Sequence, residues 1–167
     1  MMSLSTDAGI RALAVRVADR LLGAGRSLVV AESCTGGWVA KACTDLPGSS
    51  RWFLGGVVTY SDDLKMGLLG VSAGALRQQG AVSQAVVRDM AVGALERLGG
   101  DVSVAVSGIA GPDGGVSGKP VGTVWFAWAV RHADQLEVRT ALERFDGDRE
   151  SIRRKAVACA LAGVLEV

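Results

Sequence analysis

The stretch Ala31-Glu32-Ser33-Cys34-Thr35-Gly36-Gly37 decides how this chain is read. An apolar run over residues 27–31 stops at a hydroxyl, a thiol and a second hydroxyl, and two glycines follow. Behind them Trp38-Val39-Ala40-Lys41-Ala42 reads as helix. A strand, nucleophile-type side chains and a helix start in that order place an oxygen or sulfur nucleophile beside free backbone N–H groups. Those groups and the helix dipole favour negative charge, either a phosphate or the oxyanion of an acyl-transfer intermediate. The same residues also fit an ordinary strand-to-helix turn in which Ser33 or Thr35 is the N-cap. The rest of the sequence has to choose.

Outward from this junction, strands and helices alternate. The spacing predicts helix over 6–24, strand over 28–31, helix over 35–44, strand over 53–60, short helical pieces within 62–79 and a long helix over 83–98. The C-terminal part reads as strand 102–106, a glycine-rich loop, strands 121–130 and 135–145, and a last helix over 148–165. Alternation implies parallel crossovers for the first three strands. The turn at His132-Ala133-Asp134 implies an antiparallel hairpin for the last two. The fold class expected is α/β, a three-layer α/β/α sandwich on a mixed five-stranded sheet with one antiparallel strand, spanning residues 1–167 as a single domain. In that topology Ser33, Tyr60, Ser61 and Ser107, the loop 108–120 and the segment 146–149 all fall on the carboxyl edge of the parallel strands, where open α/β sheets bind ligands.

Composition narrows the class. The 167 residues are 49% hydrophobic and 21% charged, which fits one folded domain with a core. The 23 glycines are about twice the usual share and sit at turns. A net charge of +1 gives no reason to invoke nucleic acid or a membrane surface as partner. Cys34, Cys43 and Cys159 are odd in number and lack a CxxC pair, so a reduced, cytoplasmic setting is expected. Ile10, Leu13, Ala14, Val17, Ala18 and Leu21 recur at helical spacing between charges, as on an amphipathic surface helix and unlike a signal peptide. No apolar run approaches the ~20 residues of a membrane span.

The chemistry on offer is limited by what is missing. A Ser-His-Asp triad needs a histidine, and the one present, His132, falls at the opposite edge of the sheet. No His/Cys grouping has ligand spacing, so no metal site and no cofactor are expected. Asp62, Asp63, Asp113, Asp146 and Asp148 remain as scattered carboxylates able to hold magnesium or to cap helices. Lys65, on the first turn of the helix leaving the second strand, lies on the edge of Ser33. It can act as a base if burial or neighbouring positive charge from Arg149 or a lysine lowers its pKa, with Asp62 and Asp63 turned away to cap the helix. Tyr60 would relay a proton, orient the lysine, or simply end its strand in water. Cys34 is either a rival nucleophile at a helix N-terminus or a small buried apolar residue. Thr35 would bind ligand or cap. The loop 107–120 fails the Walker A pattern, because Asp113 and Pro120 stand where glycine and Ser/Thr are required. Arg149 suits a phosphate, or else pairs with Asp146 or Glu150. Trp38, Trp52, Trp125 and Trp128 read as core or subunit-contact residues, with ring stacking on a ligand as the other option.

The segments AESCTGGWVAK (31–41), VVTYSDDLK (57–65), GAVS (80–83), SGIAGPDGG (107–115), KPVGTVWFA (119–127) and FDGDRESIRRKA (145–156) resemble the CinA C-terminal domain family. The resemblance covers nearly the whole chain from about residue 6, in order. Standalone members of that family are nicotinamide-nucleotide amidases, so the resemblance implies metal-free hydrolysis of the carboxamide of nicotinamide mononucleotide to nicotinate mononucleotide and ammonia. Longer CinA proteins carry an N-terminal molybdopterin-binding-like domain that these residues do not include. The resemblance puts Ser33 on the family's serine nucleophile and Tyr60 and Lys65 on its tyrosine and lysine. The expected substrate-binding residues are Cys34, Thr35 and Gly36 after the nucleophile, Ser107, Gly108 and Gly111 in the glycine loop, and Arg149 for the phosphate. The expected partner is a small pyridine nucleotide, and a homodimer or larger homo-oligomer would be usual for the family. Two other readings are a non-catalytic binding module of the competence/DNA-damage type and a magnesium-dependent phosphohydrolase. A buried Lys65 close to Ser33 is required only by the amidase.

Overall fold

A computed structural model describes residues 5–133 and 135–167. In chain order the elements are α1 (Asp7–Ala24), β1 (Leu28–Glu32), α2 (Trp38–Thr44), a 3-10 turn (Ser49–Arg51), β2 (Phe53–Val58), α3 (Asp62–Leu69), α4 (Ala73–Gln79), α5 (Gln84–Leu98), β3 (Val102–Gly108), β4 (Thr123–His132), β5 (Gln135–Arg144) and α6 (Arg149–Val164). The strands form one mixed sheet in the order β2-β1-β3-β4-β5. β1 pairs parallel with β2 and β3, while β4 runs antiparallel to β3 and β5. This is the mixed five-stranded α/β architecture expected, with β4 as the antiparallel strand. Of the hairpin turn between β4 and β5, Asp134 lies outside the described residues.

Side chains alternate across each strand, and the two faces differ in bulk. Leu28, Val30, Val104, Val106, Phe126 and Trp128 form one core with Leu13 and Val17 of α1 and Ile152, Val157 and Leu161 of α6. The opposite face carries Val29, Ala31, Ala105, Ala127 and Ala129 against Val86, Val87, Met90 and Ala94 of α5. The small residues let α5 lie close, and the Ser103 hydroxyl, fully buried there, donates to the Ala91 carbonyl at 2.7 Å. On the bulky face α6 crosses directly over Trp128, whose indole N–H donates to the Ala160 carbonyl at 2.9 Å. That crossing requires glycine at 163, because a Cβ there would stand 2.1 Å from the indole ring.

Thr6, Ser83 and Asp148, where the sequence starts a helix, are side-chain N-caps of α1, α5 and α6, and Ser61 and Ser72 cap α3 and α4. Two boundaries differ near the nucleophile. α2 begins at Trp38 rather than at 35, and β2 ends at Val58 rather than at 60. Both differences have physical causes in the site itself.

Candidate active site

Because side chains alternate along β1, Glu32 and Ser33 leave the end of the strand toward opposite faces. Glu32 is buried under α2, and its carboxylate accepts from the backbone N–H groups of Gly37 (2.9 Å), Val39 (3.1 Å) and Ala40 (2.8 Å). An acidic group gripping the first turn satisfies orphan donors and the positive end of the helix dipole together. Neither Ser33 nor Thr35 is therefore the cap. Gly37 holds the N-cap position with φ +93°, after Gly36 at φ +61°, so residues 34–37 form a turn that a side chain at either glycine would strain. The sequence reading missed Glu32. Its signal was a carboxylate ending an otherwise apolar strand immediately before a helix.

Ser33 points to the other face, where Lys65 of α3 meets it. The Lys65 side chain is 1% exposed, and its Nζ lies 3.2 Å from Ser33 Oγ. The same nitrogen donates to the carbonyls of Thr59 (2.7 Å) and Tyr60 (3.3 Å), which is why β2 stops short of them. Burial holds the Lys65 pKa below the ordinary lysine value, while Asp62 and Cys34 oppose the drop. The expected help from Arg149 is not among the causes, and burial is the leading one. The first-turn aspartates are exposed but do not cap α3. Ser61 does so, accepting from Leu64 N–H at 3.2 Å.

Three acceptors surround Nζ, which donates to Ser33 Oγ and to the two carbonyls, a set that matches the three N–H donors of an ammonium. With one proton lost, the two carbonyls can keep both remaining donors, and the lone pair is then within reach of the Ser33 hydroxyl proton.

Cys34 is buried against the α1/α6 core, and burial, with Glu32 adding to it, pushes its thiol up to about 11. The rival-nucleophile reading needed a lowered value, whereas this thiol is held protonated. The Cys34 and Thr35 N–H groups donate to no other residue among the described residues, whereas Ser33 N–H bonds the Val106 carbonyl and Gly36 N–H the Ser33 carbonyl. The Thr35 hydroxyl is fully buried and has no hydrogen-bond partner among the described residues.

The remaining sequence candidates frame the mouth of this site or support it from behind. Arg149 donates to the Gly111 carbonyl (2.7 Å) and to the Tyr60 phenol (3.1 Å), tying the glycine loop to the end of β2. It pairs with neither Asp146 nor Glu150, and Glu150 binds Arg154 instead. The Tyr60 ring is 60% exposed, so this residue reaches Lys65 through its carbonyl and Arg149 through its phenol. Ser107 is buried and donates to the Ala81 carbonyl, bracing the loop before α5. Gly108 pairs with Val124 where β3 meets β4, too close for a side chain. His132 sits at the far edge beside Arg26 and Glu137. Asp113, Asp146 and Asp148 are exposed, Asp148 capping α6, and no three His, Cys, Asp or Glu side chains converge among the described residues. Trp52 and Trp128 are buried in the core, and Trp38 stacks beneath Arg153 and Arg154.

Comparison with known proteins gives this geometry a family. The nicotinamide-nucleotide amidohydrolase PncC of Escherichia coli K12 is 50% identical over 156 residues, covering 93% of each chain. The protein of the same name from Pseudomonas putida is 49% identical over 158 residues, covering 95% of this chain and 96% of its own. Among solved structures, the competence damage-inducible protein A of Klebsiella pneumoniae superimposes with a TM-score of 0.89 at 43% identity, covering 94% of this chain and 95% of that one. The CinA C-terminal domain model matches residues 10–167, which takes in α1 from Ile10 onward, every later element through α6 and the whole Ser33–Lys65 site. The chain belongs to the CinA C-terminal domain family.

Proposed function

We propose that this protein hydrolyses the carboxamide of nicotinamide mononucleotide, giving nicotinate mononucleotide and ammonia, by acyl transfer through Ser33. The observation that carries the reading is the Lys65 amine, buried and 3.2 Å from Ser33 Oγ with two carbonyls on its other side. The names of the relatives supply the substrate class, a nicotinamide nucleotide.

In the scheme, neutral Lys65 takes the Ser33 proton as Oγ attacks the amide carbon. The oxyanion accepts from the Thr35 N–H, which donates to no residue among the described ones, and fixed donors of this kind supply a large share of such a rate enhancement. The Lys65 ammonium then returns its proton to the departing nitrogen, and ammonia leaves behind a seryl ester. Lys65 next deprotonates water, which attacks the ester carbonyl, releasing nicotinate mononucleotide and restoring the serine. Gly36 shapes the turn. Arg149, with backbone groups around Gly108 and Gly111, receives the ligand phosphate, and the Tyr60 phenol orients its guanidinium. No step calls for a metal or cofactor. A non-catalytic binding module would place no demand on the Ser33–Lys65 pair.

The reading extends to the chain as one amidase domain acting in the cytoplasm as a homodimer or larger homo-oligomer. Three cysteines without a disulfide fit a reducing compartment, and sedimentation velocity measures the assembly. The deciding experiment incubates purified protein with nicotinamide mononucleotide, with and without chelator, and measures ammonia. Release that survives chelation and disappears in Ser33→Ala supports the scheme. Release that requires added magnesium overturns it in favour of a carboxylate-bound metal.

A further inference from the structure

We propose that Arg153 is a positioning residue that aims the Thr35 N–H at the reacting carbonyl oxygen. Resting on the acyl-transfer reading, this inference assigns the device that orients its oxyanion donor. Arg153 lies on α6, half-buried, with its guanidinium over the Trp38 ring at 5.4 Å. Its Nε donates to the Cys34 carbonyl at 3.0 Å and its Nη2 to the Thr35 carbonyl at 2.8 Å. Two successive carbonyls of the nucleophile turn are thus held by one planar fork.

A trans peptide is rigid, with C=O and the following N–H pointing in opposite directions. Drawing the Cys34 carbonyl toward α6 therefore turns the Thr35 N–H away from α6. Drawing in the Thr35 carbonyl does the same to the Gly36 N–H, which returns to the Ser33 carbonyl at 3.0 Å and closes the turn. The side opposite α6 is the face on which Ser33 Oγ meets Lys65. The Thr35 N–H is left without a partner on that side, where charge develops once Oγ attacks.

The opposite grip comes from Glu32, which holds the N–H groups of Gly37 at the end of the turn and of Val39 and Ala40 in the first turn of α2. Cation and carboxylate together fix both ends of a segment whose two glycines would otherwise leave it loose. Lysine cannot replace the arginine, because a single ammonium lacks the flat fork that spans two carbonyls and stacks on an indole.

The test compares wild type, Arg153→Lys and a control on the same helix, Arg154→Lys, on nicotinamide mononucleotide and its thioamide counterpart. Sulfur accepts hydrogen bonds poorly, so the carboxamide-to-thioamide ratio of kcat reports the oxyanion donor, and loss of fold alone would not change it. Arg153→Lys should lower kcat on the carboxamide by about 10²-fold with little change in KM. The substrate ratio should fall toward one, and the pH profile should keep its midpoint. Arg154→Lys should behave as wild type. Full kcat and an unchanged ratio in Arg153→Lys, beside an inert Ser33→Ala, would overturn the role of Arg153 alone. A loss confined to thermal stability, with the ratio intact, would overturn it as well. A Ser33→Ala enzyme of full activity would remove the acyl-transfer reading and this inference with it.

Discussion

The Arg149 guanidinium donates to the Tyr60 phenol at 3.1 Å, joining residues 89 apart in sequence at the mouth of the site. Its second nitrogen holds the Gly111 carbonyl, so one side chain links α6, the end of β2 and the glycine loop. A phosphate arriving here would find a fork already oriented.

Arg149→Ala should therefore weaken the phosphorylated substrate selectively. Loss of a charge-assisted hydrogen bond predicts a rise in KM for nicotinamide mononucleotide of about 10-fold or more. The phosphate-free riboside should change little. Steady-state kinetics on both substrates measures the difference, and equal losses on both would place the phosphate elsewhere.

The nucleophile assignment separates cleanly by substitution. Ser33→Ala should reduce kcat by roughly 10⁴-fold or more while costing under about 1 kcal/mol of stability. Cys34→Ala should keep much of the activity, since that thiol is held up to about 11 and packs in the core. A dead Cys34→Ala beside an active Ser33→Ala would assign the reaction to sulfur.

Lys65 predicts two pH signatures. Activity should rise with pH as the amine loses its proton, with a midpoint below that of an ordinary lysine because burial disfavours the charge. Lys65→Arg should be nearly inactive, because a guanidinium stays protonated. Stability follows from linkage. Between the lowered native pKa and the unfolded value of about 10.4, the unfolded chain binds the proton that the native chain does not. Unfolding free energy should rise with pH through that window, and the cost of burying the charge is greatest below it. Lys65→Met should remove this rise, and denaturant titrations at several pH values would show a persisting slope if another group were responsible.

Gly163 gives a test of packing away from the chemistry. An added methyl would enter the Trp128 indole, and such overpacking costs about 1–3 kcal/mol. Gly163→Ala should melt lower by about 2–4 °C per kcal/mol. Below its melting transition it should retain most of its kcat. A melting point matching wild type would show that α6 can shift off the ring.

The sequence was most readable where periodicity and turn chemistry agree. The helix over 6–24 begins with Thr6 as cap at 6 and ends at Ala24, and the alternation of strands and helices led to the sheet with its lone antiparallel strand. The proximity of Ser33 and Lys65 was also legible, since topology put both on one edge, the one histidine fell on the other, and the family resemblance singled out the same two residues. What stayed hidden depended on which way side chains point across a sheet. Glu32 and Ser33 are neighbours in sequence but serve opposite layers, and a pattern of residue types does not show that a carboxylate displaces both hydroxyls as cap of α2. The pull of Arg153 on two carbonyls was equally invisible, because it joins residues about 118 positions apart.

The carboxylate beneath α2 also bears on which element this scaffold can use for attack. Glu32 raises the pKa of Cys34 beside it and of Cys43 further along the helix, adding in both cases to burial. A thiolate forming on this turn would meet a fixed negative charge at close range and a helix end whose positive pole is already occupied. An alkoxide is never stored here, because it appears only as the proton moves to Lys65. At position 34 the fold thus discriminates against sulfur, while position 33, on the other face beside Lys65, is left to oxygen. Buried and held protonated, Cys34 should react slowly with thiol-directed reagents and mild oxidants.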